Sequence, residues 1–302
     1  MSCPTRLLPV LLTLAATFSV PVVSFAQPGR DAGLGLQLDS AATGHTALEA
    51  RGGPAGGFSV RQFGAKFSLP LRPLDQRWFP SVGLRYQRYD LDLDPGTPLP
   101  AHLHSLGLSL NLAGSLAPDW SFFGSVSPRL ANAGDGFSSR GLGVGVIAIA
   151  SRRFSPEFGG GFGFVYDSLA RGTGRIIPVA TFDWTPAPGW RVFLGFPRTG
   201  ASWQVRADLK AEFVAEADFG SFHVADEPAP AGPGRPALDR TRLEYQAGRV
   251  GPALTWRASS TFSTRLAAGV VPFLNAEYRQ RNYKLKSERT PGFASLELDW
   301  KF

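Results

Sequence analysis

The C-terminal stretch Phe293–Phe302 reads FASLELDWKF and constrains the fold more than any other part of the chain. Leu296, Leu298, Trp300 and Phe302 fall on one face of an extended strand, and Ser295, Glu297, Asp299 and Lys301 fall on the other. Side chains alternate across a strand with a period of two, so this segment separates an apolar phase from a polar one. A strand of a soluble sandwich can alternate in the same way, but it seldom stops at an aromatic residue with no polar tail behind it.

The pattern recurs along the whole chain. Leu34, Leu36 and Leu38 open the series; Phe63, Ala65, Phe67 and Leu69 follow, and Leu106, Leu108, Leu110 and Leu112 make the longest uniform stripe. Further stripes run through Phe162, Phe164 and Tyr166, through Trp190, Val192 and Leu194, and through Leu209 with Phe213 and Leu243 with Tyr245. A chain that is 43% hydrophobic and 18% charged is too apolar to be disordered. Beyond the N-terminus no apolar run approaches the roughly 20 residues of a membrane helix. The longest, Leu142–Ala150, is interrupted by glycine and suits a tilted membrane-crossing strand of about 9–11 residues.

The N-terminus reads as an export signal over residues 1–26: Arg6, an apolar core from Leu7 to Val23, and the small-x-small site Ser24-Phe25-Ala26, with cleavage expected before Gln27. Residues 27–302 then form a single barrel domain. The single cysteine, Cys3, lies ahead of the apolar run, so the mature chain carries no thiol, disulfide or cysteine-based metal site. The formal charge of +7 suits anionic lipopolysaccharide as a partner better than nucleic acid.

Connections alternate between tight turns ending in an aromatic, such as Pro73–Trp78 and Pro186–Trp190, and longer Gly/Pro/Asp-rich links. The expected long links include Thr43–Gly57, Ala225–Asp239 and Arg281–Gly292. This spacing predicts an all-β fold, a closed antiparallel transmembrane β-barrel of about 14 strands, or about 12 if the weak pair around Ala201–Arg206 merges with its neighbours. The terminal strand resembles the closing strand of a bacterial outer-membrane barrel. The resemblance implies that Trp300 and Phe302 form the signal read by the barrel-assembly machinery. The segments Leu194-Gly195-Phe196-Pro197-Arg198-Thr199-Gly200 and Arg249-Val250-Gly251-Pro252-Ala253-Leu254-Thr255-Trp256 resemble the outer-membrane barrel family known as domain of unknown function 6268. That likeness implies a fold and an outer-membrane location in a Gram-negative bacterium, and no activity or catalytic residues.

No enzyme is expected. His102 and His104 share a face, but Ser105 lies on the opposite one, which breaks a Ser–His pairing. His45 and His223 are isolated, so no metal ligand set is expected. Asp90, Asp92 and Asp94 alternate at a strand end without the glycine-placed loop of a calcium site, and Gly159–Gly163 lacks the Lys-Ser/Thr of a phosphate loop. No cofactor is expected.

The faces expected to point inward are small and neutral in the first half: Ser105, Gly107, Ser109 and Asn111, then Gly143, Gly145, Gly161 and Gly163. In the second half they carry both signs: Lys210, Glu212 and Glu216; Arg240, Arg242 and Glu244; Arg265 and Glu277; Glu297, Asp299 and Lys301. Leu209, Phe213, Leu243, Tyr245 and Leu298 are the matching residues expected to face lipid. Two functions fit: a passive pore or solute-uptake channel, or a structural, surface-interacting barrel whose interior is filled by cross-strand ion pairs.

Overall fold

The computed structural model describes residues 34–50, 53–170, 175–231 and 234–302. The expected leader and its cleavage site lie outside the described residues. Each alternating segment is a strand: β1 (Gly35–Ala50), β2 (Gly53–Pro70), β3 (Trp78–Leu93), β4 (His102–Ala117), β5 (Trp120–Ala133), β6 (Leu142–Arg153), β7 (Phe158–Asp167) and β8 (Ile176–Trp184). The second half contributes β9 (Trp190–Leu194), β10 (Arg198–Arg206), β11 (Leu209–Val224), β12 (Thr241–Arg257), β13 (Phe262–Tyr278), β14 (Tyr283–Ser287) and β15 (Gly292–Lys301).

Successive strands pair antiparallel, and β14 and β15 share one position between β13 and β1, so the wall is a closed 14-stranded barrel. Closure runs through β15: Trp300 sits opposite Phe262 on one side and Leu36 on the other, and the Phe302 N–H donates to the Leu34 carbonyl at 2.7 Å. This closure pairs β1 with β15, so neither end of the sheet is left as an open edge in lipid.

The outer surface is apolar. Phe63, Leu84, Leu108, Phe162, Trp203, Phe213, Trp256 and Leu266 are all exposed, which is the reverse of a soluble protein's pattern. Near the short-turn end, aromatics form a girdle in which Trp190 stacks on Trp203 at 5.8 Å and Phe262 meets Trp300 at 4.9 Å.

At the other end, two expected loops are largely strand. β1 and β2 run through most of Thr43–Gly57, with Thr46 opposite Phe58 and Glu49 opposite Pro54. β14 lies within Arg281–Gly292 and pairs with β1 and β13. Gly- and polar-rich composition reads as loop, yet here the hairpin continues because it packs on a core in which Leu48 and Phe58 are fully buried.

The wall is uneven. β11 and β12 have 16 and 17 residues, whereas β9 has 5. The low side is the β9–β10 hairpin, whose link Gly195–Pro197 contains a cis Phe196–Pro197 peptide. Deleting Phe302, whose side chain is largely exposed on the lipid-facing stripe, should lower the membrane-inserted yield sharply. The melting of any barrel that does insert should change little, since even a fully buried apolar side chain is worth about 1.5–3 kcal/mol. Yield in membrane fractions and heat-modified gel mobility measure the two separately; an unchanged yield would contradict the assembly role.

Candidate functional site

Inside the barrel, the faces of β2–β5 are polar. Asn111 donates to the Ser81 hydroxyl at 3.3 Å and accepts from the Ser125 hydroxyl at 2.7 Å. Lys66, Arg85 and Arg129 join these serines in lining a cavity of about 320 Å³. Sequence reasoning missed these three cations because it tracked the glycine and serine stripes rather than every residue of the same parity. Arg129 on β5 reaches across β6 to Asp167 on β7 at 2.7 Å, and the Asp167 carboxylate is fully buried. Gly143 lies opposite Arg129 and Gly145 opposite Asp167, so the small inward face of β6 makes room for the pair.

The adjoining wall has a different chemistry. Ile147 and Ile149 of β6, Val165 of β7, and Ile177 and Val179 of β8 form a buried apolar cluster, with Phe123 and Phe196 packed against it. The interior is therefore two-sided, polar along β2–β5 and apolar along β6–β8.

Along β10, β11, β13 and β15 runs a belt of ion pairs. Arg198 binds Glu212 at 2.8 Å and Glu216 at 3.0 Å; Arg265 binds Glu216 at 2.6 Å and Glu212 at 3.3 Å; Lys210 binds Glu212 at 3.1 Å. Arg265 also approaches Glu297 at 4.0 Å, and Gln37 donates to Glu297 at 2.8 Å. Arg198 was not among the expected inward residues, because it sits beside the Pro197 bend rather than in a recognisable stripe. A second cavity, about 590 Å³, opens beside the belt and is lined by Arg191, Phe193, Ser202 and Lys210 among others.

Toward the long-loop end, β11 leaves the wall. Its register with β10 stops at Glu216 opposite Arg198, and its tip instead pairs in parallel with β5, His223 opposite Asn132 and Val224 opposite Ala133. This short-circuits β6–β10. Gly220 leaves room for the Phe222 ring, which a Cβ there would meet. The tip brings Phe222 against Tyr89 at 6.0 Å, and Tyr89 meets Tyr245 at 5.2 Å. Tyr89 donates to Asp218 at 3.0 Å, and Arg249 lies 3.5 Å from the same carboxylate. A packed apolar core containing Leu48, Leu103, Leu243 and Leu285 belongs to the same end.

Several expected positions are corrected. Leu243 and Tyr245 are buried in this core, not on lipid. Arg242 and Glu244, being of opposite parity, lie on the other face, where Arg242 donates to the Leu169 carbonyl at 3.2 Å and Glu244 pairs with Arg279 at 2.6 Å. The parity of β12 is constant along its length; its lipid stripe is Leu254 and Trp256, while the apolar residues nearer the tip fill the mouth. Glu277 moves outward for another reason. Between Val270 and Phe273 the register with β12 slips by one residue, and such a bulge exchanges the two faces of the strand. Arg265 and Glu277 therefore point to opposite sides, and Glu277 joins Arg279 at 3.8 Å. Arg240 lies outside any strand, with φ of 52°, and is exposed beside Asp239. Asp299 shares the face of Glu297, and Lys301 is exposed at the short-turn rim.

His102 pairs with Asp90 at 2.7 Å and His104 faces the Gly136 carbonyl at 3.1 Å, while Ser105 lines the interior cavity on the other face. Asp90 also holds Arg88 at 2.7 Å, and Asp94 holds His45 at 3.2 Å. Among the described residues no group of three or more His, Cys, Asp or Glu is placed to hold a metal ion.

A family model described as Domain of unknown function (DUF6268) matches residues 53–295. The chain belongs to this family. The DUF6268 barrel shares its fold with the COG4313 outer membrane channel from Pseudomonas putida F1, with a TM-score of 0.53, 10% identity, and coverage of 93% of this chain and 100% of that one. A FadL homologue from Pseudomonas aeruginosa superposes less closely, with a TM-score of 0.45, 12% identity, and coverage of 89% and 90%. Among curated proteins, none matches the DUF6268 chain in sequence. Its closed barrel with an apolar outer surface supports an outer-membrane location.

Proposed function

We propose that this barrel is a gated channel for small solutes in the outer membrane. The observation that carries the reading is the interior cavity of about 320 Å³, lined on one side by serines with Lys66, Arg85 and Arg129 and on the other by Phe123, Ile147, Phe219 and Phe222. Small-molecule sites span about 300–1,000 Å³, so this one suits a small solute with polar groups and an apolar body. The ion-pair belt stands on β10, β11, β13 and β15, and the inward tip of β11 lines the cavity toward the long-loop end. Outer-membrane lipid and lipopolysaccharide are the proposed surroundings, and the barrel-assembly machinery the proposed route of insertion.

A second reading has its own observation. The mouth is packed with apolar side chains such as Leu48, Leu103 and Tyr245, as a structural barrel with a filled interior would be. Swelling of liposomes carrying the purified protein separates the two. The channel reading expects swelling with small uncharged solutes that falls steeply with solute size. No swelling with any solute, from protein whose folding is verified by gel mobility, would favour the structural barrel.

A further inference from the structure

The low side of the wall interrupts it. β9, at roughly 3.3 Å per residue, extends about 16 Å, less than the roughly 25 Å apolar band of an outer-membrane barrel. Its register with β8 ends at Leu194 opposite Phe182. Among the described residues, Ile176–Thr181 therefore has no strand partner on that side, and β11 has none on its β10 side from Ala217 to Phe222, between its pairing with β10 and that with β5.

The parity of β11 shows that this gap joins inside to outside. Phe213 and Phe219 fall on one face of the strand. Phe213 is 60% exposed on the lipid side, but Phe219 is 8% exposed and lines the interior cavity. In an unbroken wall one face of a strand cannot meet lipid at one level and the lumen at the next. Here it can, because β11 turns inward where the hairpin ends. An open sheet edge is not tolerated in lipid hydrocarbon unless it borders protein or a water-filled cavity, so the β8 edge needs a filling.

Among the described residues, Gly195–Pro197 stands in the gap, where the Pro197 carbonyl accepts from the Ala217 N–H. A Cβ on Gly195 would lie 3.0 Å from the Thr181 side chain, so glycine lets this link press against β8. Phe196 turns inward, packs on the apolar cluster of β6–β8, and meets Phe219 at 5.8 Å. Its ring thus sits between the apolar inner wall and the break.

We propose that the break between β8 and β11 is a side door, stoppered by Phe196, through which small apolar molecules pass between the interior cavity and the surrounding lipid. This rests on the channel reading and names its substrate class. An uncharged molecule with an apolar body gains nothing by staying in the polar half of the lumen, and the apolar cluster leads it to the membrane. Ions, which cannot enter hydrocarbon, would use only the axial path.

The test compares two tracers in proteoliposomes: transfer of N-phenyl-1-naphthylamine, an uncharged dye that brightens in apolar surroundings, and potassium chloride conductance. Folding of every variant is checked by heat-modified gel mobility. Phe196→Ala should raise dye transfer several-fold and leave conductance unchanged. The double variant Phe196→Cys/Phe219→Cys, made in a mature chain expected to lack other cysteines, should lose dye transfer on oxidation and regain it with a reductant. If both variants shift dye and ion passage in parallel, the dye takes the axial path and the side door is wrong while the channel stands. Dye transfer indifferent to both variants also overturns the door. Absence of both dye transfer and conductance in every variant removes the channel reading, and the door with it.

Discussion

Leu243→Arg is expected to leave almost no folded barrel. Leu243 has no exposed surface and sits in the core that packs the long-loop end. Truncation to alanine there should cost about 2–5 kcal/mol, the usual range for a buried leucine. Arginine adds an unpaired charge in a fully buried apolar site, a larger penalty than the roughly 2–4 kcal/mol paid by a charge on the lipid face at mid-membrane. Leu254→Arg, on the true lipid stripe of the same strand, is the comparison. The folded fraction of both variants after refolding into detergent decides the matter. Leu243→Arg should be the more damaged of the two, and the reverse order would return Leu243 to the lipid face.

Arg129→Ala is expected to destabilise the barrel by about 3–5 kcal/mol, the cost of removing one partner from a buried ion pair. The fully buried Asp167 carboxylate would keep the Leu169 N–H at 2.9 Å but lose the guanidinium 2.7 Å away. Adding Asp167→Asn removes the stranded charge, so the double variant should recover a large part of the loss. Denaturant midpoints of the three proteins give the answer. Equal midpoints for the single and double variants would mean that the pair is solvated and carries little.

Much of this fold is legible in the sequence. The leucine stripe of β4, the aromatic girdle and the closing strand follow from period-two alternation, which has the same meaning wherever one face meets lipid. The strand number could be read to within two, because the weak pair around Ala201–Arg206 left 12 open beside the 14 that are present. Leu243 and Tyr245 were misread because an apolar stripe looks the same whether it faces lipid or a packed mouth. Glu277 was misread because a bulge near Pro272 exchanges the faces beyond it, and alternation counted from Arg265 carries no sign of the slip. The pairing of His223 with Asn132 joins distant strands, and no local pattern announces it. Yet the inward path of the β11 tip, which lines the candidate site, is fixed by it.

The proposed solute path through the interior is closed at its long-loop end by the β11 tip and the Tyr89–Phe222–Tyr245 contact. Single-channel recording in planar bilayers tests it most directly, on the parent protein and on Tyr89→Ala/Phe222→Ala, both verified as folded. The parent is expected to be closed most of the time with brief openings, and the double variant to show a long-lived conductance several-fold larger. The same conductance from both proteins, or none from either, would contradict the claim.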